Sequence, residues 1–537
     1  MNTYAAEEFI DSEADILRRY FTNLDQPVFA LVNLPEVVKG ALFARYSRSH
    51  KSLRRLFLDE FVTDLDITGD ATIDATVGLE RAEKLYEKVF VEYGDDSVAQ
   101  LGGVHLACEQ ASNLLTKVLE WGRLMSYLEQ STRYIAYDRR LDGRYRYYRD
   151  PDVLASPLGT RYIGDLDRLF DAYADLVGDM VKFLREVVPQ AAGDSDFVYR
   201  QAIQARAFDS VRGVLPGASL SNVGIFGTGQ SYEYLLLRMR AHPLPEARHY
   251  AAMMLAELRK VIPSFLRRVD QVERGQVWTD YLGSRTEAMA EVAERLLGVD
   301  TVAEHAPPVT LTSFDPDAET ALVTAMLYPF SHLPETQIRS RVEAMSAAER
   351  VAVVDAYVGE RTNRRHKPGR ALERIDYRFD VLADYGAFRD LQRHRMLTVE
   401  WQPLSPRHGY TRPESVDAAG LGHRFDEAME RSAALYRALE QPFPAQAPYA
   451  VALAYRVRFV LQLNAREAMH LIELRTTPQG HPAYRRVAQR MYELIATEAG
   501  HPAVAALMRH VDLSDDPPLG RLEAERRAER RRHPVAP

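Results

Sequence analysis

One cationic plan occurs in each half of this chain, and that repetition most limits how the chain can fold. The stretch from Leu391 to Tyr410, LQRHRMLTVEWQPLSPRHGY, opens with Arg393, His394 and Arg395 and closes with Ser405, Arg407 and His408. Residues 121–134, WGRLMSYLEQSTRY, repeat it: Arg123, seven residues, then Ser131, Thr132, Arg133 and Tyr134. Guanidinium groups present planar forks of donors that match phosphate or carboxylate oxygens two at a time, so each cluster is a candidate anion site. A solvated basic turn is the ordinary alternative for one such stretch. Its recurrence favours the anion site. At 537 residues the chain is too long for one core and fits two or three domains.

Composition narrows the function. Lys plus Arg total 68 against 76 Asp plus Glu, a formal charge of −8, which argues against non-specific nucleic-acid binding. The single cysteine, Cys108, excludes an internal disulfide and a CxxC metal or redox pair. No apolar run approaches the ~18 residues that span a bilayer, and the N-terminus has no signal pattern, so a cytoplasmic protein with no membrane partner is expected. HExxH, GxSxG and Cys/His ligand sets are absent, so no metal site and no serine triad are expected.

In chain order, residues 1–27 predict a leader helix with Ile10, Ile16, Leu17 and Tyr20 at helical spacing. VFALVNLP (28–35) predicts a strand entering a helix, and Arg45, Arg48, Arg54 and Arg55 beyond it are either a solvent-facing patch or a phosphate or folate contact. Val98–Leu119 reads as a long helix burying Cys108. SYLEQSTRYIAY alternates as a strand, which would put Glu129, Ser131 and Arg133 on one face and Gln130 and Thr132 on the other. Helices are expected over 162–188, 197–214 and 244–300, a linker over 303–309 and a strand at VTLTSF. Gly224, Gly227 and Gly229 do not have dinucleotide-fingerprint spacing.

Residues 464–475, NAREAMHLIELR, predict a helix from Ala465, with Asn464 as N-cap and Glu467 three residues on as a capping box. Arg466 and His470 then share a face, Arg475 projects nearly opposite, and Leu471 and Leu474 face inward. The tail 513–537 is Arg-rich, lacks apolar periodicity and is expected to be disordered.

These motifs resemble the flavin-dependent thymidylate synthases, whose signature is Arg-His-Arg, seven residues, Ser, then Ser-x-Arg-Tyr. Residues 123–134 match its second half, with Trp121 and Gly122 where Arg-His would stand. Residues 393–407 match its first half, with nine residues before Ser405. The resemblance implies an α/β (α+β) fold of two tandem copies, each a mixed sheet flanked by long helices, over 28–300 and 301–512. It also implies synthesis of dTMP from dUMP, with FAD as cofactor and NADPH and methylenetetrahydrofolate as co-substrates.

By resemblance, Asn464, Arg466, His470, Arg393, His394, Arg395 and Ser97 meet flavin. Asp95 departs from the family's His-x-Ser segment there, and in the second copy His366 is kept while Pro368 replaces Ser. Glu129, Gln130, Ser131, Arg133, Ser405, Arg407, Arg238 and Arg212, of the Arg-x-x-Leu-Pro element, meet the nucleotide. Arg475 is the catalytic residue, a fixed cation beside the uracil ring. A homodimer would imitate the family's tetramer, with composite sites. The alternative is a nucleotide- or flavin-binding regulator or scaffold that retains the fold without activity.

Overall fold

The computed structural model describes residues 4–34, 36–62, 100, 102–133, 135–141, 143–191, 195–298, 301 and 303–515. The readings of Asp95, Ser97, Tyr134 and the tail beyond Asp515 fall outside them. The described chain forms two four-stranded sheets with one topology. The first is β1 (Val28–Leu31), β2 (Gly103–Ser112), β3 (Met125–Glu129) and β4 (Leu220–Thr228), in the order β1-β2-β4-β3. The second is β5 (Val309–Phe314), β6 (Asp376–Asp384), β7 (Thr398–Trp401) and β8 (Arg456–Asn464), in the order β5-β6-β8-β7.

The α/β class and the two copies are as expected. The sheets are antiparallel throughout rather than mixed, because each described strand lies beside one that enters from the opposite end.

Two sequence expectations fail locally. Residues 103–112 form β2 rather than helix, with eight of its last nine positions buried in a nearly unbroken run that has no period of its own. Cys108 is buried there all the same. The strand expected through Arg133 stops at Glu129, paired with Val223, because Ser131 Oγ accepts the Arg133 backbone N–H at 3.3 Å and turns the chain.

Of the cations near the N-terminus, Arg54, Arg55 and Arg45 pair within the fold, and Arg48 is exposed. Arg54 is buried, donates to the carbonyls of Asn23 and Gln26 and lies 3.6 Å over the Phe29 ring. Arg55 pairs with Glu7 and Glu13, and Arg45 with Glu60. The Arg54 and Arg55 contacts fasten the leader, whose helix is confined to Asp11–Leu17, onto a core of Phe21, Phe29, Leu42, Phe43 and Phe57, whereas Arg45–Glu60 joins the two helices that follow β1.

The compact units are not the sequential halves. The first comprises Met1–Leu176, Val214–Ala303 and His423–Ala452; the second comprises Val177–Gly213, Glu304–Gly422 and Leu453–Pro537. Each takes a segment from the other half of the chain. In the first unit Arg431 pairs with Asp165 at 3.2 Å, and the Gly217 and Ala218 N–H groups donate to Val451 and Tyr449. In the second, the Asp196–Val211 helix is held by Ser415 Oγ donating to Ser210 Oγ at 2.8 Å and by His481 at Asp209 O.

Candidate functional site

The helix after β8 runs from Ala465 to Arg475, capped by Asn464, whose side chain accepts from Glu467 N at 3.0 Å. The expected capping box is not completed. The Glu467 carboxylate instead turns inward and accepts from His394 Nδ1 at 2.9 Å. Of the expected stripe Leu471 is buried but Leu474 is only half-buried, and Ile472 and Glu473 are buried beside Leu471 instead. Both its oxygens accept from Arg361 at 2.7 Å, and Arg361 also bonds His366 O, anchoring the loop that carries RRHKPGR. Sequence reasoning missed Arg361 and Glu473, which are 112 residues apart.

That loop docks on the same helix. Arg466 Nε donates to Pro368 O at 3.0 Å and its NH1 to Glu373 at 3.2 Å. Arg364, Lys367, Arg395 and Arg466 all act electrostatically on Glu467 or His470. Burial, more than these charges, moves the two groups: Glu467 is raised, and His470 is lowered to about 4, so its imidazole is neutral at pH 7.

Along the Arg-His-Arg run exposure alternates: Arg393 and Arg395 are exposed while His394 is buried. His394 Nε2 lies 3.0 Å from Arg475 Nε. Arg475 NH2 donates to Asp390 O, and the guanidinium lies 5.3 Å from the Tyr484 ring centre. Asp390 stands between two arginines, its carboxylate 3.9 Å from Arg475 and 3.6 Å from Arg212, which also reaches Gly386 O at 3.4 Å. Arg212 lies in the first half of the sequence but belongs to the second unit. It lines an open cleft with Arg206, Asp384, His481 and Arg486. Burial raises the Asp384 carboxyl, and Arg212 opposes that shift.

His394, Glu467 and His470 offer three ligand atoms within 4.8 Å of one another, a metal-like grouping. Arg475 argues against that use. Its Nε–H always points a proton at His394 Nε2, so the imidazole proton sits on Nδ1, the atom facing Glu467, and that atom has no lone pair for a metal.

The family comparison falls on both sheets. The family model described as "Thymidylate synthase complementing protein" matches residues 42–264 and again 310–501. The chain belongs to that family, with two copies of its domain. It is 38% identical over 528 residues to a UPF0159 protein of Chlamydia pneumoniae, covering 97% of this chain and 98% of that one. It is 32% identical over 516 residues to one of Thermoplasma acidophilum, covering 91% and 97%. Among solved structures, a UMP/dUMP methylase PolB from Streptomyces cacaoi aligns at 20% identity with a TM-score of 0.30, covering 38% of this chain and 97% of that one.

Within the two thymidylate synthase complementing copies, the expected residues are divided. The second unit holds Arg212, Arg393, His394, Arg395, Ser405, Arg407, Asn464, Arg466, His470 and Arg475; the first holds Glu129, Gln130, Ser131, Arg133 and Arg238. In the first unit Glu129 is buried against Lys117 Nζ at 3.2 Å, and Gln130 donates to Ser49 O at 2.8 Å. Arg238, whose guanidinium burial lowers its pKa, lies 4.8 Å over the Trp121 ring.

Ser405 Oγ accepts from Arg407 N at 3.4 Å, the turn that Ser131 makes with Arg133. Ser-x-Arg is therefore a local turn in both copies, a signal open to sequence reading. Two residues separate Arg123 from Ser126 and Arg395 from Thr398, whose partners Phe226 and Gln462 each lie two before the helix cap. The two extra residues before Ser405 are thus accommodated after β7.

The donor set fits a dinucleotide's polyanionic end. Exposed Arg395, together with Lys367, Arg364 and Arg466, gathers around neutral His470 and the carboxylate of Glu467, Glu373 pairs with Arg466, and exposed Arg393 acts on Arg475. Asn464 and His394 have their side chains occupied within the fold.

Proposed function

We propose that this protein is a flavin-dependent thymidylate synthase whose working site lies in the second unit, making dTMP from dUMP with a methylenetetrahydrofolate carbon and NADPH-derived hydride. The observation that carries the reading is the meeting of Arg212 and Arg475 at Asp390, from opposite halves of the sequence. Arg475 is the catalytic group, a preorganised cation for charge that develops on the uracil ring. Arg393, Arg395, Arg466 and His470 hold FAD, with Asn464 and Ser97 assigned to it by the family motif. Bound FAD supplies the hydride chemistry, so the chain needs no nucleophile of its own.

Arg212, Ser405 and Arg407 address the nucleotide. Glu129, Gln130, Ser131, Arg133 and Arg238 complete the family's substrate set in the first copy, with Arg133 on phosphate. Two chains in a homodimer reproduce the family's tetramer of domains.

A second reading, a nucleotide- or flavin-binding regulator without turnover, draws on the Glu129 carboxylate sealed against Lys117. The experiment is a visible absorbance spectrum of the purified protein, followed by turnover of dUMP with FAD, NADPH and methylenetetrahydrofolate. A flavin band with dTMP formation supports the synthase. A flavin band without dTMP moves the protein to the second reading, and no flavin or nucleotide binding overturns both.

A further inference from the structure

The middle residue of the Arg-His-Arg run does something its neighbours do not. Arg393 and Arg395 are exposed, while the His394 side chain is only 3% exposed and is hydrogen-bonded on both nitrogens. An arginine Nε keeps its proton, so at 3.0 Å from His394 Nε2 it is the donor and that nitrogen presents its lone pair. The imidazole proton is then on Nδ1 and is donated to Glu467 at 2.9 Å. The three side chains form one chain of donation, from Arg475 to His394 to Glu467.

We propose that His394 is a positioning residue rather than a cofactor contact: it pins the Arg475 guanidinium by its Nε–H, and Glu467 locks the tautomer that lets it do so. This rests on the catalytic reading of Arg475 given above.

A guanidinium held only at its terminal nitrogens swivels about its own side-chain bonds. Here the inner edge is fixed by His394 and one terminal nitrogen by Asp390 O, which sets the plane and leaves NH1 beside the Asp390 carboxylate. The arrangement specifies its own requirement at position 394. A side chain there must accept on one atom and donate on another, and glutamine also meets that condition. The His470 ring, tilted 61° at 5.4 Å, packs against His394 and limits its rotation. Glu467 appears in the sequence as half of a capping box, so its part in this chain was hidden until the fold brought position 394 to it.

The test uses His394→Leu and His394→Gln in the full chain. With dUMP varied, His394→Leu should lower kcat about 100-fold with KM changed less than about threefold, and His394→Gln should recover at least about tenfold of that loss. FAD affinity, read by flavin fluorescence, should stay within about twofold in His394→Gln. A tenfold loss of FAD affinity in His394→Gln would make His394 a cofactor ligand and overturn the proposal.

A readout independent of turnover separates this failure from failure of the synthase reading. In 15N-histidine-labelled protein, with the 394 signals assigned by their loss in His394→Gln, the shifts should report the Nδ1–H tautomer. Arg475 Nε–H should exchange slowly in the parent and in His394→Gln and quickly in His394→Leu. An Nε2–H tautomer, or equal Arg475 exchange in all three proteins, would refute the pinning whatever the activity.

Discussion

The two sheets have one topology but opposite contents at the same junction. Where β2 runs into the Asn113–Leu119 helix, Ser112 caps the helix and gives its N–H and hydroxyl to Glu246, which also receives the Tyr449 hydroxyl at 2.6 Å. Where β6 runs into the Tyr385–Leu391 helix, the cap is Asp384 and the cleft beside it holds Arg212 and His481. The other motif positions differ in the same sense. Trp121 packed on Arg238 stands where Arg393 begins the second copy's run, and Thr228 caps the helix where Asn464 does. At this junction the first copy is interior, closed by Ser112, Glu246 and Tyr449, and its open cleft lies elsewhere in the unit, lined by Lys51, Arg55, Gln130, Arg144, Arg146 and Arg149. At the matching junction the second copy keeps a cleft that holds Arg206, Arg212 and Arg486. The two copies thus present their cations at different places on one topology.

The sharpest way to break that comparison is to cut the chain between Ala303 and Glu304. Each unit includes a segment from the other half, so residues 1–303 and 304–537 expressed apart should each lack cooperative unfolding and dUMP turnover, while co-expression restores both. A folded, active half would show that the exchange is dispensable.

Next in size is the contrast between Arg475 and Arg238. Arg475→Ala should lower kcat by two to three orders of magnitude, about 3–4 kcal/mol, because the charge it meets appears only in the transition state. Arg238→Ala should leave kcat within about threefold and act through KM, since its assigned part is substrate binding beside Trp121. Steady-state kinetics decides, and equal kcat losses would erase the distinction.

Glu246 sharpens the comparison on the stability side. Burial raises its carboxyl to about 7 from an ordinary 4.5, outweighing the hydrogen bonds from Ser112 and Tyr449, which act downward. A raised folded pKa gives stability that is complete below about pH 4.5 and is lost as pH rises through about 7, a swing of about 3 kcal/mol at most. Melting between pH 5 and 8 should therefore show the parent weakening, and Glu246→Gln should flatten that dependence. A parent with no such decline would mean that Glu246 is ionised in its pocket.

The smallest effect is on cofactor affinity. Arg466→Ala should weaken FAD binding about 10- to 100-fold, the loss of a charge-assisted contact of about 1.5–3 kcal/mol. Gln230→Ala, one residue after Gly229 opens the corresponding helix of the first copy, should change it less than twofold. Titration of the two apo-variants checks both.

How much of this was legible in the sequence follows the range of the interactions. The Ala465–Arg475 helix was read correctly because its cap, period and length are local. β2 was misread because a strand buried on both faces carries no alternation to separate it from a buried helix. The strand through Arg133 was overextended because a serine turn was overlooked. Glu467 looked like a capping residue because its partner, His394, lies 73 positions away, and no spacing rule reaches that far. The family resemblance supplied the two copies and their motifs, but not the exchange of segments, which depends on contacts more than 200 residues apart such as Arg431 with Asp165.

That exchange sets the order in which a ribosome can deliver a finished protein. The first unit needs His423–Ala452, which emerges well over a hundred residues after its last earlier segment ends at Ala303. At about 5–20 residues per second its earlier portion waits on the order of ten seconds for the closing piece. The second unit needs Val177–Gly213, made long before the rest of it, and that piece carries Arg212. A gene that shed its first copy would lose an arginine of the second unit's cleft along with it, so the first copy is inherited as part of the second unit.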